Sequence, residues 1–111
     1  MIIVDSRGDV AMVHVAVDRL DAAASPAFKQ AVASQVDADT AKLVLDMRAV
    51  EFVDSTGLGA IVSLMKRLPP DGVLVIAAPR HPVRRLLQIT GLDRLFRQFD
   101  TTEEALAAIG G

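Results

Sequence analysis

The sequence has no cysteine, no tryptophan and no tyrosine among its 111 residues. Without cysteine, the chain can form neither a disulfide nor a thiolate zinc site, and it has no cysteine nucleophile. Aromatic residues make up only 4% of the chain, so the core must be built mainly from aliphatic side chains. The formal net charge of −2 lacks the basic excess that is typical of nucleic-acid-binding domains, and we expect no nucleic-acid partner.

Long apolar runs are also missing from the sequence. No run approaches the roughly 20 residues of a membrane-spanning helix, so we expect no membrane partner. Asp5, Arg7 and Asp9 interrupt the apolar residues near the N-terminus, which argues against a signal peptide. A hydrophobic content of 51% with 23% charged residues is typical of a globular fold. We therefore expect one soluble, cytoplasmic domain over residues 1–111.

Strand-like and helix-periodic segments alternate along the chain. The patterns predict strands at residues 1–4, 10–17, 42–47, 73–78 and 95–99, and helices that begin near residues 25, 54, 82 and 101. Ser25 is predicted as the N-cap of the first helix, with Pro26 as its first helical residue. This alternation predicts an α/β fold with a mixed, mainly parallel sheet of four to five strands and about four helices.

Residues 53–59, with the sequence VDSTGLG, join a predicted strand to a predicted helix. Asp54 or Ser55 suits the N-cap, because a short side-chain oxygen can accept from the free amides of the first turn. Each glycine costs roughly 1 kcal/mol against alanine inside a helix. Gly57 and Gly59 therefore indicate close approach of a neighbouring segment or of a binding partner. Because a helix N-terminus favours negative charge, a hydroxyl there is a candidate phosphorylation site.

These segments resemble the signature of the STAS domain, and more narrowly that of the bacterial anti-sigma factor antagonists. The resemblance covers nearly the whole chain, and its most specific part is the run from Asp54 to Gly59. The segments that carry the resemblance are residues 17–22 (VDRLDA), 43–47 (LVLDM), 52–59 (FVDSTGLG), 83–87 (VRRLL), 91–92 and Phe96. One departure is Asp18-Arg19, because many relatives carry glycine before the Leu-Asp pair at this point.

The resemblance implies a partner switch in bacterial signalling that regulates transcription. The unphosphorylated protein would bind an anti-sigma factor with a histidine-kinase-like ATPase domain, and a sigma factor would be released. That anti-sigma factor would also be a serine kinase that phosphorylates Ser55 and so abolishes binding. A metal-dependent serine/threonine phosphatase would restore binding. The partner-binding residues implied by the resemblance are Asp21, Asp54, Ser55, Thr56, Gly57, Leu58 and Gly59.

Other uses of the motif remain open. Ser55 could be a helix cap without any modification, and Thr56 is a second hydroxyl that could accept phosphate. The domain could also be a constitutive subunit of a transport ATPase or of a signalling complex, in which case its binding would not respond to Ser55. A third class, a small nucleotide-binding module, would bind ATP or GTP without a protein partner.

An enzymatic function is not indicated by the sequence. His14 and His81 are the two histidines, and their spacing fits no metal site. No Gly-x-Ser-x-Gly elbow surrounds Ser55, and no dinucleotide fingerprint or Walker lysine accompanies the glycines. We therefore expect no catalytic residue, no metal and no cofactor.

Overall fold

The computed structural model describes residues 1–110, which form seven strands and four helices. The strands are β1 (Ile2–Arg7), β2 (Val10–Val15), β3 (Arg19–Leu20), β4 (Lys42–Asp46), β5 (Phe52–Val53), β6 (Val73–Ala77) and β7 (Gln98–Phe99). The helices are α1 (Ser25–Gln35), α2 (Ser55–Lys66), α3 (His81–Thr90) and α4 (Thr102–Ile109), with a 3₁₀ turn at Leu92–Arg94.

The main sheet has the strand order β1-β2-β4-β6-β7. β1 is antiparallel to β2, and every other neighbouring pair in this sheet is parallel. The expectation of a mixed, mainly parallel sheet is confirmed. A second sheet, which the sequence patterns did not predict, is formed by β3 and β5 in parallel. Each of these strands is only two residues long, too short to give a period-two pattern.

The two faces of the main sheet carry different helices. Along β2, Val13 faces a large core that includes side chains of α1, α2 and α3, whereas Met12 faces a smaller core beneath α4. This alternation follows from the period of two in a strand. The large core is mainly aliphatic, as the composition predicted, although Phe28 and Phe96 are fully buried in it. The parallel strands therefore lie between two layers of helix.

The start of α1 differs from the prediction. Ser25 is not the N-cap but a helical residue, and the N-cap position is occupied by Ala24 without a side-chain cap. The backbone already turns before Ser25, and Asp21 caps this turn by accepting hydrogen bonds from the N–H groups of Ala23 and Ala24. The Ser25 hydroxyl instead donates to the carbonyl of Asp21 at 2.7 Å.

The C-terminus of α3 and the N-terminus of α4 carry residue types that are common at those positions of a helix. Gly91 adopts a φ of 77° and ends α3 in the left-handed conformation that glycine tolerates. Thr101 accepts a hydrogen bond from the N–H of Glu104 at 3.1 Å and so caps α4. Within residues 1–110, none of the helices combines the length and apolarity that crossing a bilayer requires.

The carboxyl end of β4 is fixed by Asp46, a buried acid. Its carboxylate lies 2.7 Å from Nδ1 of His14 on β2 and accepts the backbone N–H of Arg48 at 3.1 Å. Burial raises the pKa of Asp46, but the hydrogen bonds from His14 and Arg48 outweigh burial, and the net pKa is lowered. Asp46 thus holds the loop that leads from β4 to β5.

Candidate functional site

Asp54 joins the start of α2 to the loop that follows β3. One carboxylate oxygen accepts the N–H of Gly57 at 2.9 Å, which makes Asp54 the N-cap of α2. The other oxygen accepts the N–H of Ala22 at 3.2 Å. Of the two N-cap candidates in the sequence, the structure therefore selects Asp54 over Ser55. The carboxylate also has a second function, because it links two segments that are 32 residues apart.

Asp21 fixes the rest of the same loop. Its carboxylate accepts the N–H groups of Ala23 and Ala24, each at 3.1 Å, so two acids together bind three successive amides. The hydrogen bond from Ala24 is the main cause that lowers the pKa of Asp21. The ionised carboxyl is therefore the form that holds the loop. Asp21 and Asp54, which the resemblance implies as partner-binding residues, hold neighbouring amides of the same loop.

Ser55 and Thr56 occupy the first two positions of α2, and both are exposed. Their backbone N–H groups have no acceptor among residues 1–110, as expected for the first turn of a helix. The first turn contains no acidic residue. The free amides and the helix dipole therefore favour an anion at this point, and no side chain of the first turn supplies one.

The two glycines of the motif differ in their surroundings. A Cβ on Gly57 would lie 2.1 Å from the carbonyl oxygen of Leu20 and 2.9 Å from Cγ1 of Val53, so β3 and β5 approach this backbone too closely for any side chain. A Cβ on Gly59 would meet nothing within 4 Å, and Gly59 is exposed. Gly57 therefore serves internal packing, and Gly59 leaves open space over the surface of the helix.

Burial divides the predicted partner-binding residues into two groups. Gly57 and Leu58 are buried, and Leu58 belongs to the large core because it faces the sheet. These two residues contribute packing and backbone position, not an accessible side chain. The accessible members are Ser55, Thr56 and Gly59, with Asp21 and Asp54 partly buried beside them.

An aromatic residue beside the motif was not assigned to the site from the sequence. Phe52 is 39% exposed, and the guanidinium of Arg19 lies 4.2 Å from the centre of its ring. The two residues are register partners in the β3–β5 pair, whereas Leu20 and Val53 turn inward. The signal in the sequence was a large apolar residue two positions before Asp54, but only the β3–β5 pairing shows that it is exposed.

The site lacks the surroundings of a serine nucleophile. Within residues 1–110, the Ser55 hydroxyl makes no hydrogen bond to a histidine or to any other group. In the same part of the chain, no group of three or more His, Cys, Asp or Glu side chains is arranged to hold a metal ion. The geometry presents Ser55 as an accessible hydroxyl that could receive a group from another protein.

Comparison with protein families matches nearly all of the chain to a known domain. The model of the STAS domain matches residues 1–105. This range includes both sheets and the entire segment from Asp54 to Gly59. It also includes the loop that Asp21 and Asp54 hold.

Two similar proteins and one similar crystal structure are described as anti-sigma factor antagonists. The anti-sigma-F factor antagonist RsfB of Mycobacterium tuberculosis is 29% identical over 92 residues, which are 83% of this chain and 75% of that protein. A Thermotoga neapolitana protein, also named for the anti-sigma factor antagonists, is 38% identical over 71 residues, only 63% of either chain. The crystal structure of an anti-sigma factor antagonist from Mycobacterium paratuberculosis superposes with a TM-score of 0.89 at 30% identity. That superposition covers 100% of this chain and 94% of the other.

Proposed function

This chain belongs to the STAS domain family, and we propose that it is an anti-sigma factor antagonist that works as a partner switch. In its unphosphorylated form it binds an anti-sigma factor that carries a histidine-kinase-like ATPase domain. This binding releases a sigma factor. The same ATPase is a serine kinase, and it ends the interaction by phosphorylating Ser55 in the cytoplasm. A metal-dependent serine/threonine phosphatase reverses the modification.

The observation that carries this proposal is the position of Ser55. Its hydroxyl is exposed at the first position of a helix whose first turn has free amides and no acid. A phosphate adds about −1.5 to −2 charge at neutral pH. Because that charge would lie at the positive end of α2, the fold tolerates the modification. The switch can therefore change the surface of the domain without unfolding it.

The effect of phosphorylation on a partner is different from its effect on the fold. At an interface the added group brings bulk, negative charge and a desolvation cost. Asp54 already places a carboxylate beside Ser55. A partner that tolerates this negative charge must also accommodate the phosphate, which adds about −1.5 to −2 charge. A loss of about 3 kcal/mol of binding free energy would weaken the affinity roughly a hundredfold. This is sufficient to exchange one partner for another at fixed concentrations.

The test is a comparative pull-down with Ser55→Ala and Ser55→Asp proteins as baits, followed by mass spectrometry. We expect the alanine form to retain a kinase-like ATPase and the aspartate form to lose it. Thr56→Ala and Thr56→Asp are the matched controls, because Thr56 is the neighbouring exposed hydroxyl on the same turn. The Thr56→Ala bait should retain the ATPase as the wild type does.

Two results would contradict the proposal. Identical partner sets on the two Ser55 baits would indicate a constitutive subunit of a larger assembly, with Ser55 as an ordinary helix residue. Phosphate transferred by the captured kinase to Thr56 and not to Ser55 would move the switch to the second hydroxyl. Mass spectrometry of the phosphorylated peptide distinguishes these positions.

A further inference from the structure

The outer face of the β3–β5 pair carries a stacked arginine and phenylalanine. Arg19 and Phe52 are register partners with both side chains turned outward, and the guanidinium carbon lies 4.2 Å from the ring centre. The Arg19 side chain is 57% exposed, and its Nε lies 3.4 Å from the carboxylate of Asp21. Its terminal nitrogens make no hydrogen bond within residues 1–110. The ring and the Asp21 carboxylate therefore orient the guanidinium, while its outer edge stays open to a partner.

The charges around this stack are unequal. Residues 18–21 and 51–54 form the two segments that meet here, and together they contain four acidic residues and one basic residue, Arg19. A partner that covers this surface must be mainly basic to match the acids. At the position of Arg19, the same partner needs the opposite charge, because like charges facing each other at an interface cost several kcal/mol.

From this pattern we propose that the Arg19–Phe52 stack is a docking platform that binds a carboxylate side chain of the partner. The terminal nitrogens of Arg19 donate two parallel hydrogen bonds to the two carboxylate oxygens. Stacking on Phe52 fixes the guanidinium before binding, so less side-chain entropy is lost in the complex. Arg19 therefore selects, among basic partners, the one that presents an acid at this point.

The platform is continuous with the proposed switch, since Phe52 lies only three residues before Ser55 in the chain. The assignment of its partner to the anti-sigma kinase rests on the proposed function, whereas the carboxylate chemistry does not. Interface positions that dominate affinity are enriched in arginine and aromatic residues and lie near the centre of the buried patch. Arg19 and Phe52 are of these residue types and lie on the strand pair that leads into the accessible start of α2.

The chain provides a matched control for this platform. Arg97 also lies over a phenylalanine ring, that of Phe99 on β7, at 5.1 Å, but at the far edge of the main sheet. Binding of the purified kinase would be measured by titration calorimetry in the Ser55→Ala background. We expect Arg19→Glu to weaken binding about a hundredfold and Arg19→Lys about tenfold, because lysine keeps the charge but loses the planar fork. Arg97→Glu should change the affinity less than twofold.

A cross-linking experiment tests the chemistry of the contact. Arg19→Lys places an amine on the platform, and a carbodiimide joins amines to carboxylates only when the two groups touch. We expect the kinase complex of Arg19→Lys to give a cross-link from position 19 to an Asp or Glu of the kinase, and Arg97→Lys to give none from position 97. Failure of the first cross-link, or equal affinities of the Arg19→Glu and Arg97→Glu variants, would overturn the platform.

The outcomes separate the platform from the switch. If Ser55→Asp abolishes binding while Arg19→Glu has no effect, the switch stands and the platform is wrong. If the two Ser55 variants bind alike and Arg19→Glu still loses affinity, the platform stands without the switch. If no kinase is captured, nuclear magnetic resonance with a short glutamate peptide decides. The Nε–H signal of Arg19 must then shift more than that of Arg97, or the platform is overturned.

Discussion

The helices α2 and α4 begin with the same kind of cap but differ in the charge of the turn that follows. Asp54 accepts the N–H of Gly57 at 2.9 Å, and Thr101 accepts the N–H of Glu104 at 3.1 Å. The first turn of α4 contains two carboxylates, whereas the first turn of α2 contains none. In their place α2 carries two exposed hydroxyls.

Because of this difference, the start of α4 already has negative charge beside its helix dipole, whereas the start of α2 can accept an added negative charge. The glutamates of α4 offset the positive end of its own dipole. Of these, Glu103 accepts a hydrogen bond from the Thr102 hydroxyl at 2.8 Å, and this bond is the main cause that lowers its pKa. At α2 the helix has an acid at its cap position, Asp54, and none in its first turn. A phosphate on Ser55 would give α2 the charge that α4 already has.

The largest predicted effect comes from the glycine beneath the start of α2. Gly57→Ala places a Cβ 2.1 Å from the carbonyl oxygen of Leu20, and since that oxygen is backbone, either β3 or the helix must move. We expect the free energy of unfolding to fall by about 3 kcal/mol. Gly59→Ala is the matched control because its Cβ would meet nothing. It should raise the free energy of unfolding by about 1 kcal/mol.

Urea denaturation of the two variants measures this contrast. Similar urea midpoints for Gly57→Ala and Gly59→Ala would show that β3 does not approach the backbone of Gly57 as closely as described. The result would also change the interpretation of the motif, because both glycines would then serve the surface. Binding of the kinase by Gly59→Ala would add a separate test of whether a partner uses the open space above that residue.

The next largest effect separates the two caps. Asp54→Ala removes the hydrogen bonds to Gly57 and to Ala22 together, and we expect a loss of about 2 kcal/mol. Thr101→Ala removes one cap bond and should cost about 1 kcal/mol. Thermal unfolding of both variants at one pH checks the order. Equal losses would mean that the link from Asp54 to the loop after β3 adds nothing to stability.

The charge difference itself predicts a smaller effect. Thr56→Glu places a carboxylate in the first turn of α2, which contains no acidic residue, and should stabilise the fold by about 0.5 kcal/mol at low salt. Glu103→Gln removes one from α4 and should destabilise it by a similar amount. Both changes should shrink at high salt, because exposed charges are screened. A destabilising Thr56→Glu would contradict the view that α2 can accept negative charge.

The sequence predicted the four helices and the main strands because their apolar residues repeat at clear periods. Gly91 and Thr101 are local signals of another kind, since glycine commonly ends a helix and threonine commonly caps one, and the structure shows both roles. The start of α1 was predicted wrongly because Ser25-Pro26 resembles a cap. In the structure Asp21, four residues before Ser25, accepts hydrogen bonds from the N–H groups of Ala23 and Ala24. A carboxylate that binds a preceding turn leaves no periodic pattern in the sequence.

The sequence predicted which segment of the chain forms the site, but not which side chains around it are exposed. Residues 53–59 indicated a strand-to-helix joint with close approach at the glycines, and Gly57 confirms that approach. What the sequence could not assign was the direction of each side chain. Phe52 faces outward because β3 pairs with β5, a long-range contact between two-residue strands. The Arg19–Phe52 stack depends on that pairing alone.

The smallest effect concerns two acids, Asp21 in the loop between β3 and α1 and Glu103 in the first turn of α4. Both pKa values are lowered in the fold, that of Asp21 by the N–H of Ala24 first and that of Glu103 by the Thr102 hydroxyl first. A lowered carboxyl pKa gives stability that is present above the unfolded pKa, about 3.9 for Asp and 4.3 for Glu, and is lost as the pH falls through the folded value. Carbon-detected magnetic resonance should therefore place both midpoints below those values, with the Ala24 amide shift following the Asp21 carboxyl. Asp21→Asn should remove that amide transition and leave the Glu103 midpoint unchanged. A transition of Ala24 that persists in Asp21→Asn would mean that another group holds the loop beside Ser55.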